Sequence, residues 1–292
     1  VVTFFGTAKR FEGLNGLIQR NAILSWKRLV GDCEIVIFTS ENDENLKKVA
    51  DEFNIRLIED AECNEYGTIY VDYMFDRIQE VSDGDLFCYI NCDIILMNNF
   101  LGIVGEINNA LKQGALVVGR RTDLDVKYEI DFLPGWERKL SERSGCEGKL
   151  HAATGIDYMV FPRGYLKGMP KFAVGRTCWD NYIIYRAKKD GLPVVDASSI
   201  ILAIHQNHDY GHHPKGKKGI WKGDEARTNE SFTNGKAYML DIRDADYGYS
   251  KCGLEKNGVL SNIARTLLVT SMVKYDICWP MRYVRKVKKY LS

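Results

Sequence analysis

The chain has 292 residues, 45% of them hydrophobic and 27% charged, and carries a net charge of +1. This length can bury the core of one large domain or one and a half, and the composition is that of an ordinary soluble globular protein. The charge balance gives no case for general nucleic-acid binding, and eight cysteines without a C-x-x-C pair point to reduced thiols rather than a disulfide framework or zinc site.

No secretory leader or membrane span is visible, and Val1 to Phe5 begins at once as a β-branched and aromatic strand ended by Gly6. There is no initiator Met, so the start is expected to be trimmed. Gly6-Thr7-Ala8-Lys9-Arg10 follows as a loop of small residues and two cations. Leu14, Ile18, Ala22, Trp26 and Leu29 recur at helical spacing and predict a helix ending near Gly31. A second strand is expected over Glu34–Thr39, a helix on Leu46, Val49, Ala50 and Phe53, and a short strand over Ile55–Ile58. Val71, Met74, Phe75, Ile78 and Val81 predict a third helix.

The run Leu86-Phe-Cys-Tyr-Ile-Asn91-Cys92-Asp93-Ile-Ile-Leu96 is almost unbroken in its apolar character and reads as a central strand buried on both faces. A carboxylate inside it needs a reason, because an unpaired buried charge is costly. Either Asp93 caps the following turn, or the strand ends there and presents the carboxylate at its carboxyl edge, where open α/β sheets bind ligands. The alternation of strands and helices predicts a Rossmann-like, mostly parallel sheet flanked by helices. No G-x-G-x-x-G follows the first strand, which argues against a dehydrogenase.

Beyond Asp93, Leu101, Val104, Ile107 and Leu111 predict a helix and Ala115–Gly119 a strand that discharges into Arg120 and Arg121. Guanidinium forks there suit a phosphate or carboxylate, or equally a surface ion pair with Asp123 or Asp125. Residues 126–150 read as a polar excursion with a short helix around Trp136 to Arg143. Gly155-Ile-Asp157 leads into a strand, Tyr158–Phe161, stopped by Pro162. A further helix carries Trp179, Ile183 and Ala187, and Asp180 at its start serves the helix dipole or a ligand. Val194–Asp196 and Ile200–Ile204 are expected as the last core strands.

His205-Gln-Asn-His208-Asp-Tyr-Gly-His212-His213 holds four of the five histidines, a pattern that suits a metal site. The Gly- and Lys-rich stretch after it suits a lid, while His212 and His213 read equally well as part of a solvated loop. The expected organisation is a catalytic unit over 1–215, a flexible loop or lid over 216–258 and a basic helical extension over 259–292. Leu260, Ile263, Ala264, Leu267 and Leu268 predict a helix there. Residues 282–291 carry five cations and no acid, which suits an interfacial helix on anionic lipid or a solvated helix on its own domain.

In order and spacing these elements resemble the GT-A type of nucleotide-diphospho-sugar glycosyltransferase, over roughly residues 1–215. Asn91-Cys92-Asp93 is similar to the family's D-x-D motif, with Asn in the first place. Trp179-Asp180-Asn181 resembles the position that supplies the base of inverting enzymes, and His205 or His208 stands where many members carry a histidine ligand. The resemblance implies a divalent metal, Mn2+ or Mg2+, held by Asp93, His205 and His208. It implies donor contacts from Thr7, Lys9, Asn91, Cys92, Asp93, Arg120 and Arg121, with Tyr66, Gly67, Thr68 and Asp72 as further candidates near the nucleotide. Asp180 would be the base, Asp157 the second choice, and Gly155 and Trp179 would face the acceptor. A nucleoside-diphosphate-sugar donor and a glycan or glycolipid acceptor follow as expected partners, with transfer by inversion in polysaccharide biosynthesis. The expected location is cytoplasmic, with a peripheral contact at the inner face of a membrane. A sugar-phosphate nucleotidyltransferase is the second reading, with Gly6 to Arg10 as a thin phosphate loop. A non-catalytic nucleotide-sugar binding protein is the third.

Overall fold

In a computed structural model, which describes residues 1–208, 220–257 and 263–278, β1 (Val2–Thr7) lies between β2 (Cys33–Phe38) and β4 (Leu86–Ile90), parallel to both. β3 (Arg56–Ile58) closes that side of the sheet. On the other side come β9 (Tyr158–Pro162), β6 (Leu116–Val118), β10 (Val194–Asp196), β12 (Tyr247–Ser250) and β13 (Gly253–Lys256), giving the nine-stranded order β13-β12-β10-β6-β9-β4-β1-β2-β3. The pairs of β1 with β2 and β4, β2 with β3, and β10 with β6 and β12 are parallel. β9 runs antiparallel between β4 and β6, and β13 antiparallel on the edge. The sheet is therefore mixed but largely parallel, in an α/β fold.

Alternation along β4 explains its place. Phe87 and Tyr89 enter the core on one face of the sheet, and Cys88 and Ile90 the core on the other. A strand covered on both faces gains burial from every side chain, at about 25 cal/mol per Å² of apolar surface. Helices α1 (Gly13–Lys27), α2 (Glu44–Phe53) and α4 (Phe100–Ala110) contribute to the second core, and α3 (Val71–Val81) and α6 (Trp179–Lys189) to the first. The Asp43 carboxylate caps α2 through the Asn45 and Leu46 N–H groups and also accepts from Phe11 N–H at 2.7 Å, tying the loop after β1 to that helix.

The run expected as one strand over 86–96 is broken. β4 stops at Ile90, a turn spans 91–93, and Ile94–Ile95 forms β5 in a different sheet of four strands, β5-β11-β7-β8. That sheet contains β7 (Arg121–Leu124), β8 (Lys149–Leu150) and β11 (Ala203–Gln206), with α5 (Trp136–Glu147) before β8. The polar excursion over 126–150 thus supplies α5 and β8, β7 forms just before it from the stretch read as the end of a strand, and the strand expected over Ile200–Ile204 starts later and leaves the main sheet. Hydrogen bonding to a second sheet decides both, which a hydrophobic pattern does not report.

Residues 224–256, expected within a loop or lid, carry α7 (Asp224–Phe232), a 3-10 turn (Ile242–Asp244) and the β12–β13 hairpin that joins β10. The C-terminal helix α8 (Ile263–Tyr275) buries Val269 and Met272 in the core shared with α6, and Arg265 binds Asp244 at 2.6 Å and Asp241 at 3.0 Å. His212, His213 and the basic run from Arg282 lie outside the described residues.

Candidate active site

The turn after β4 is built to reach the end of β1. A Cβ on Gly6 would stand 2.3 Å from the Ile90 carbonyl oxygen, so only glycine lets the two strands approach this closely there. The turn is closed by Ile94 N–H donating to Asn91 O, and α1 holds it from behind through the Trp26 indole N–H on Ile94 O at 2.9 Å. β11 runs antiparallel to β5 with His205 opposite Ile94, and parallel to β7 with His205 beside Asp123. This register brings His205 and His208 against Asp93. Asp93 Oδ2 lies 3.1 Å from His208 Nε2 and 3.7 Å from His205 Nε2.

The ligand atoms of Asp93, His205 and His208 lie within 4.8 Å of one another. Asp93 Oδ1 is buried and has no hydrogen-bond partner among the described residues. A carboxylate with a spare buried oxygen and two imidazole nitrogens is a donor set that fits Mn2+ or a similar divalent ion. Lys9 Nζ stands 3.0 Å from His208 Nε2 and 3.9 Å from Asp93 Oδ2, and the Gln19 amide grips the Lys9 backbone on both its N–H and C=O. Burial alone would raise the Asp93 pKa, but His205, His208 and Lys9 outweigh it and hold the carboxyl well below its usual range. Burial likewise opposes charge on His205, and Asp93 and Asp123 overcome it, raising its pKa above the ordinary imidazole value.

A second group of charges adjoins this corner. Asp157 Oδ1 accepts from the Arg121 guanidinium and from the Asn91 amide, each at 2.7 Å, and Asn91 Oδ1 accepts from the Tyr89 hydroxyl at 3.0 Å. The first residue of the D-x-D-like triplet therefore faces Asp157, not the histidines. An amide suits that place because it donates to a carboxylate that a second carboxylate would repel. Arg121 also binds Asp123 at 2.9 Å, and Asp123 meets His151 Nδ1 at 2.8 Å.

Asp180 opens α6, next to Cys178, whose φ of 87° is a conformation rarely taken by a side-chain-bearing residue. The segment leading there is fastened by α7. Asn229, fully buried, binds Ala173 N–H, Ala173 C=O and Thr177 C=O, and Glu225 pairs with Arg176 at 2.7 Å. Burial pushes the Asp180 carboxyl up to about 7, aided by the negative charge of Asp157 and opposed by the Asn181 N–H and Arg121. The buried Tyr89 hydroxyl lies within electrostatic reach of Asp93, Asp157 and Asp180, whose charges, after burial, push its pKa up.

The structure thus brings together Lys9, Asn91, Asp93, Arg121, Asp157, Asp180, His205 and His208. Thr7 is half-buried at the carboxyl end of β1. Other expected residues stand elsewhere. Cys92 is 4% exposed and packs in the core, so its thiol offers nothing to a donor. Trp179, expected at the acceptor, is also buried, with its ring 4.8 Å from Tyr89 in an edge-on contact. Arg120 points away from Arg121, as strand alternation requires; its Nε binds the His151 carbonyl, and it lines a separate cleft of about 560 Å³ with Ser198, Tyr249 and Lys256. Gly155 serves by its lack of a side chain, since a Cβ would stand 2.4 Å from the His151 ring. Tyr66 is exposed, Thr68 binds Arg176, and Asp72 opens α3 beside Lys171 and Glu62.

Asp123, His151, Glu225 and Asn229 were not singled out from the sequence as site residues. The spacing of Arg121 and Asp123 by two places them on one face of a strand and was the available signal. His151 and Asn229 carry no local signal, because both act across long sequence separations.

No helix among the described residues is long and apolar enough to cross a membrane. No protein-family model and no curated protein matches the chain. Among solved structures, the chain is similar to the mannosyltransferase PcManGT from Pyrobaculum calidifontis in complex with GDP-Man and Mn2+, at 13% identity over 73% of this chain and 58% of that one, with a TM-score of 0.48. It is similar to S. aureus TarS 1-349 at 9% identity over 83% of this chain and 76% of that one, with a TM-score of 0.48. A third similarity is to glucosyl-3-phosphoglycerate synthase from Mycobacterium tuberculosis in complex with Mn2+, UDP and glucosyl-3-phosphoglycerate, at 14% identity over 83% of this chain and 81% of that one, with a TM-score of 0.45. The chain spans only 36% of TarS 1-349 in its UDP-GlcNAc complex.

Proposed function

We propose that the protein is a metal-assisted glycosyltransferase that moves a sugar from a nucleoside-diphosphate donor to an acceptor hydroxyl, with inversion. The observation that carries this reading is one constellation: the Asp93, His205 and His208 corner lies next to two further carboxylates, Asp157, paired with Arg121, and Asp180, whose carboxyl burial pushes up to about 7. A divalent ion bound at that corner would supply the charge neutralisation that a departing diphosphate needs. Asp93, His205 and His208 are the groups that would hold it, and Lys9 adds a positive charge for a phosphate oxygen.

Asp157, fixed by Arg121 and Asn91, orients donor or acceptor hydroxyls through its second oxygen, which has no partner among the described residues. Asp180 takes the proton of the attacking hydroxyl. A carboxylate with a pKa near 7 is a stronger base than an ordinary one and is still largely ionised just above neutral pH. Two carboxylates with different partners thus receive distinct duties: Asp157 is tied to Arg121 and Asn91, and Asp180 stands at the start of α6. The proposed partners are a nucleoside-diphosphate sugar and a glycan or glycolipid. At the chain's end, Leu267, Tyr275 and Ile277 are exposed, and the five cations of 282–291 follow in sequence. These residues support a peripheral contact with anionic lipid.

The test is a thermal-shift panel of UDP, GDP, CDP and dTDP with Mn2+, Mg2+ or EDTA, on the wild type and Asp93→Ala. A ligand at a hundredfold excess over its Kd stabilises the folded state by about 2.7 kcal/mol. One nucleotide should give a shift that vanishes with EDTA and with Asp93→Ala. A shift indifferent to both would overturn the metal-bridged site, and release of pyrophosphate from a nucleoside triphosphate would favour a nucleotidyltransferase.

A further inference from the structure

Asp123 takes no part in the constellation just described, yet it is the most heavily contacted carboxylate beside it. Its Oδ1 stands 3.1 Å from His205 Nδ1 and 2.9 Å from Arg121 Nε, and its Oδ2 lies 2.8 Å from His151 Nδ1. Sheet register produces this arrangement. β7 and β11 are parallel neighbours with Asp123 and His205 side by side, and β5 flanks β11 on its far side with Ile94 opposite His205. The imidazole is therefore held between two carboxylates, Asp123 at Nδ1 and Asp93 at Nε2.

An imidazole binds a cation through a nitrogen lone pair, and which nitrogen carries that pair is set by the hydrogen bond that the other one makes. Nδ1 makes no aligned hydrogen bond among the described residues but stands 3.1 Å from a carboxylate that only accepts, so the proton belongs on Nδ1 and the lone pair on Nε2, the nitrogen facing Asp93 and His208. We infer that Asp123 is a positioning residue: its carboxylate fixes the tautomer and ring orientation of His205 so that Nε2 is presented as a metal ligand. His151 and Arg121 hold Asp123 in turn, so its oxygens are aimed before any ion arrives. This inference rests on the metal reading of the Asp93, His205 and His208 corner.

The experiment titrates Mn2+ alone into wild type, Asp123→Asn and Asp123→Ala, by calorimetry and by the loss of the free-ion electron paramagnetic resonance signal. Asparagine removes the charge but keeps an oxygen that accepts from Nδ1–H, whereas alanine removes both. Mn2+ affinity should fall about 10–100-fold in Asp123→Ala, the usual effect of losing a carboxylate behind a ligating histidine, and by clearly less in Asp123→Asn. Equal losses would show a charge effect without positioning and would overturn the inference, as would an unchanged affinity in both variants. Nitrogen-15 NMR of the wild type at alkaline pH reads the tautomer directly and needs no variant to fold. A proton on Nδ1 of His205 supports the inference, and a proton on Nε2 overturns it. If wild type binds no Mn2+ while His205 carries its proton on Nδ1, the metal reading fails and takes the ligand role with it. If wild type binds Mn2+ and the two variants match it, the positioning role alone fails.

Discussion

In the proposed role, Asp180 trades stability for chemistry. Its carboxyl titrates near 7 in the folded chain and near 3.8 in the unfolded one, so the native state holds the proton more tightly. Stability from this group is full below about pH 4, falls as pH rises between the two values, and stays lower above them. Asp180→Asn should therefore unfold at higher urea than the wild type at pH 8, with the difference closing toward pH 4. The same variant should keep donor affinity and lose about 10²–10⁴-fold in kcat, the range of a general base. Wild-type kcat should rise with pH through about 7 as the base form appears, and a flat profile would move the base elsewhere. Asn91 gives a second test at this scale. Asn91→Asp restores a D-x-D spelling, but places a carboxylate where Asp157 now accepts at 2.7 Å. Its Tm should drop and its Mn2+ affinity should not improve, because position 91 faces away from the histidines.

Among the elements, α7 bears most on the site although none of its residues is proposed to touch substrate. Asn229 spends its whole amide on the backbone of Ala173 and Thr177, and Glu225 holds Arg176 and Asn64, so the segment entering α6 is pinned before Cys178 takes its unusual φ. Leaving such buried backbone groups without partners costs about 1–3 kcal/mol each. Asn229→Ala should lower unfolding stability by about 2–4 kcal/mol in urea titrations. It should also lower kcat more than it changes donor binding, since it acts on Asp180 and not on the Asp93, His205 and His208 corner. The sequence shows α7 only as polar, acidic residues in a region otherwise expected as a lid. Its helix was illegible there because its apolar face is narrow and its burial depends on a loop some 50 positions away.

Over the whole molecule, two sheets divide the work. The nine-stranded sheet brings β1 and β4 together and carries Asp157 on the lead-in to β9, while the four-stranded sheet carries His205 and Asp123. The turn at 91–93 is where the chain passes from one to the other, so Asp93 stands at their junction. At the far end, α8 is docked through Met272 and Val269 and through Arg265 on Asp241 and Asp244, leaving Leu267 and Tyr275 exposed. Removing residues from Arg282 onward should weaken sedimentation with vesicles rich in phosphatidylserine and leave neutral vesicles unaffected. An unchanged partition on anionic vesicles would return this end to a structural role. Each basic residue near such a surface contributes about 1 kcal/mol, so the loss should be large and salt-dependent.

Local pattern determined much of this. Apolar periodicity was enough to mark β1, β2, β4 and helices α1 to α4, because each of those elements buries a face whose period is written in consecutive residues. A carboxylate stranded in the most apolar run marked Asp93 as a residue in need of a partner, with a turn cap and a ligand role both open from that run alone. Histidines clustered after a strand marked His205 and His208 as candidate ligands, and the fold places their ligand atoms within 4.8 Å of one another and of Asp93. Tertiary structure alone decided the rest. It decided that β9 enters antiparallel, that the run at 86–96 breaks to serve two sheets, and that Trp179 and Cys92 belong to the core. It also decided that Arg120 lines a cleft of its own while Arg121 binds Asp123 and Asp157, and that Asp123 stands behind His205. Each of these is a pairing between residues far apart in the chain, fixed by register and by the cost of leaving a buried polar group without a partner, and neither quantity is written in any single segment.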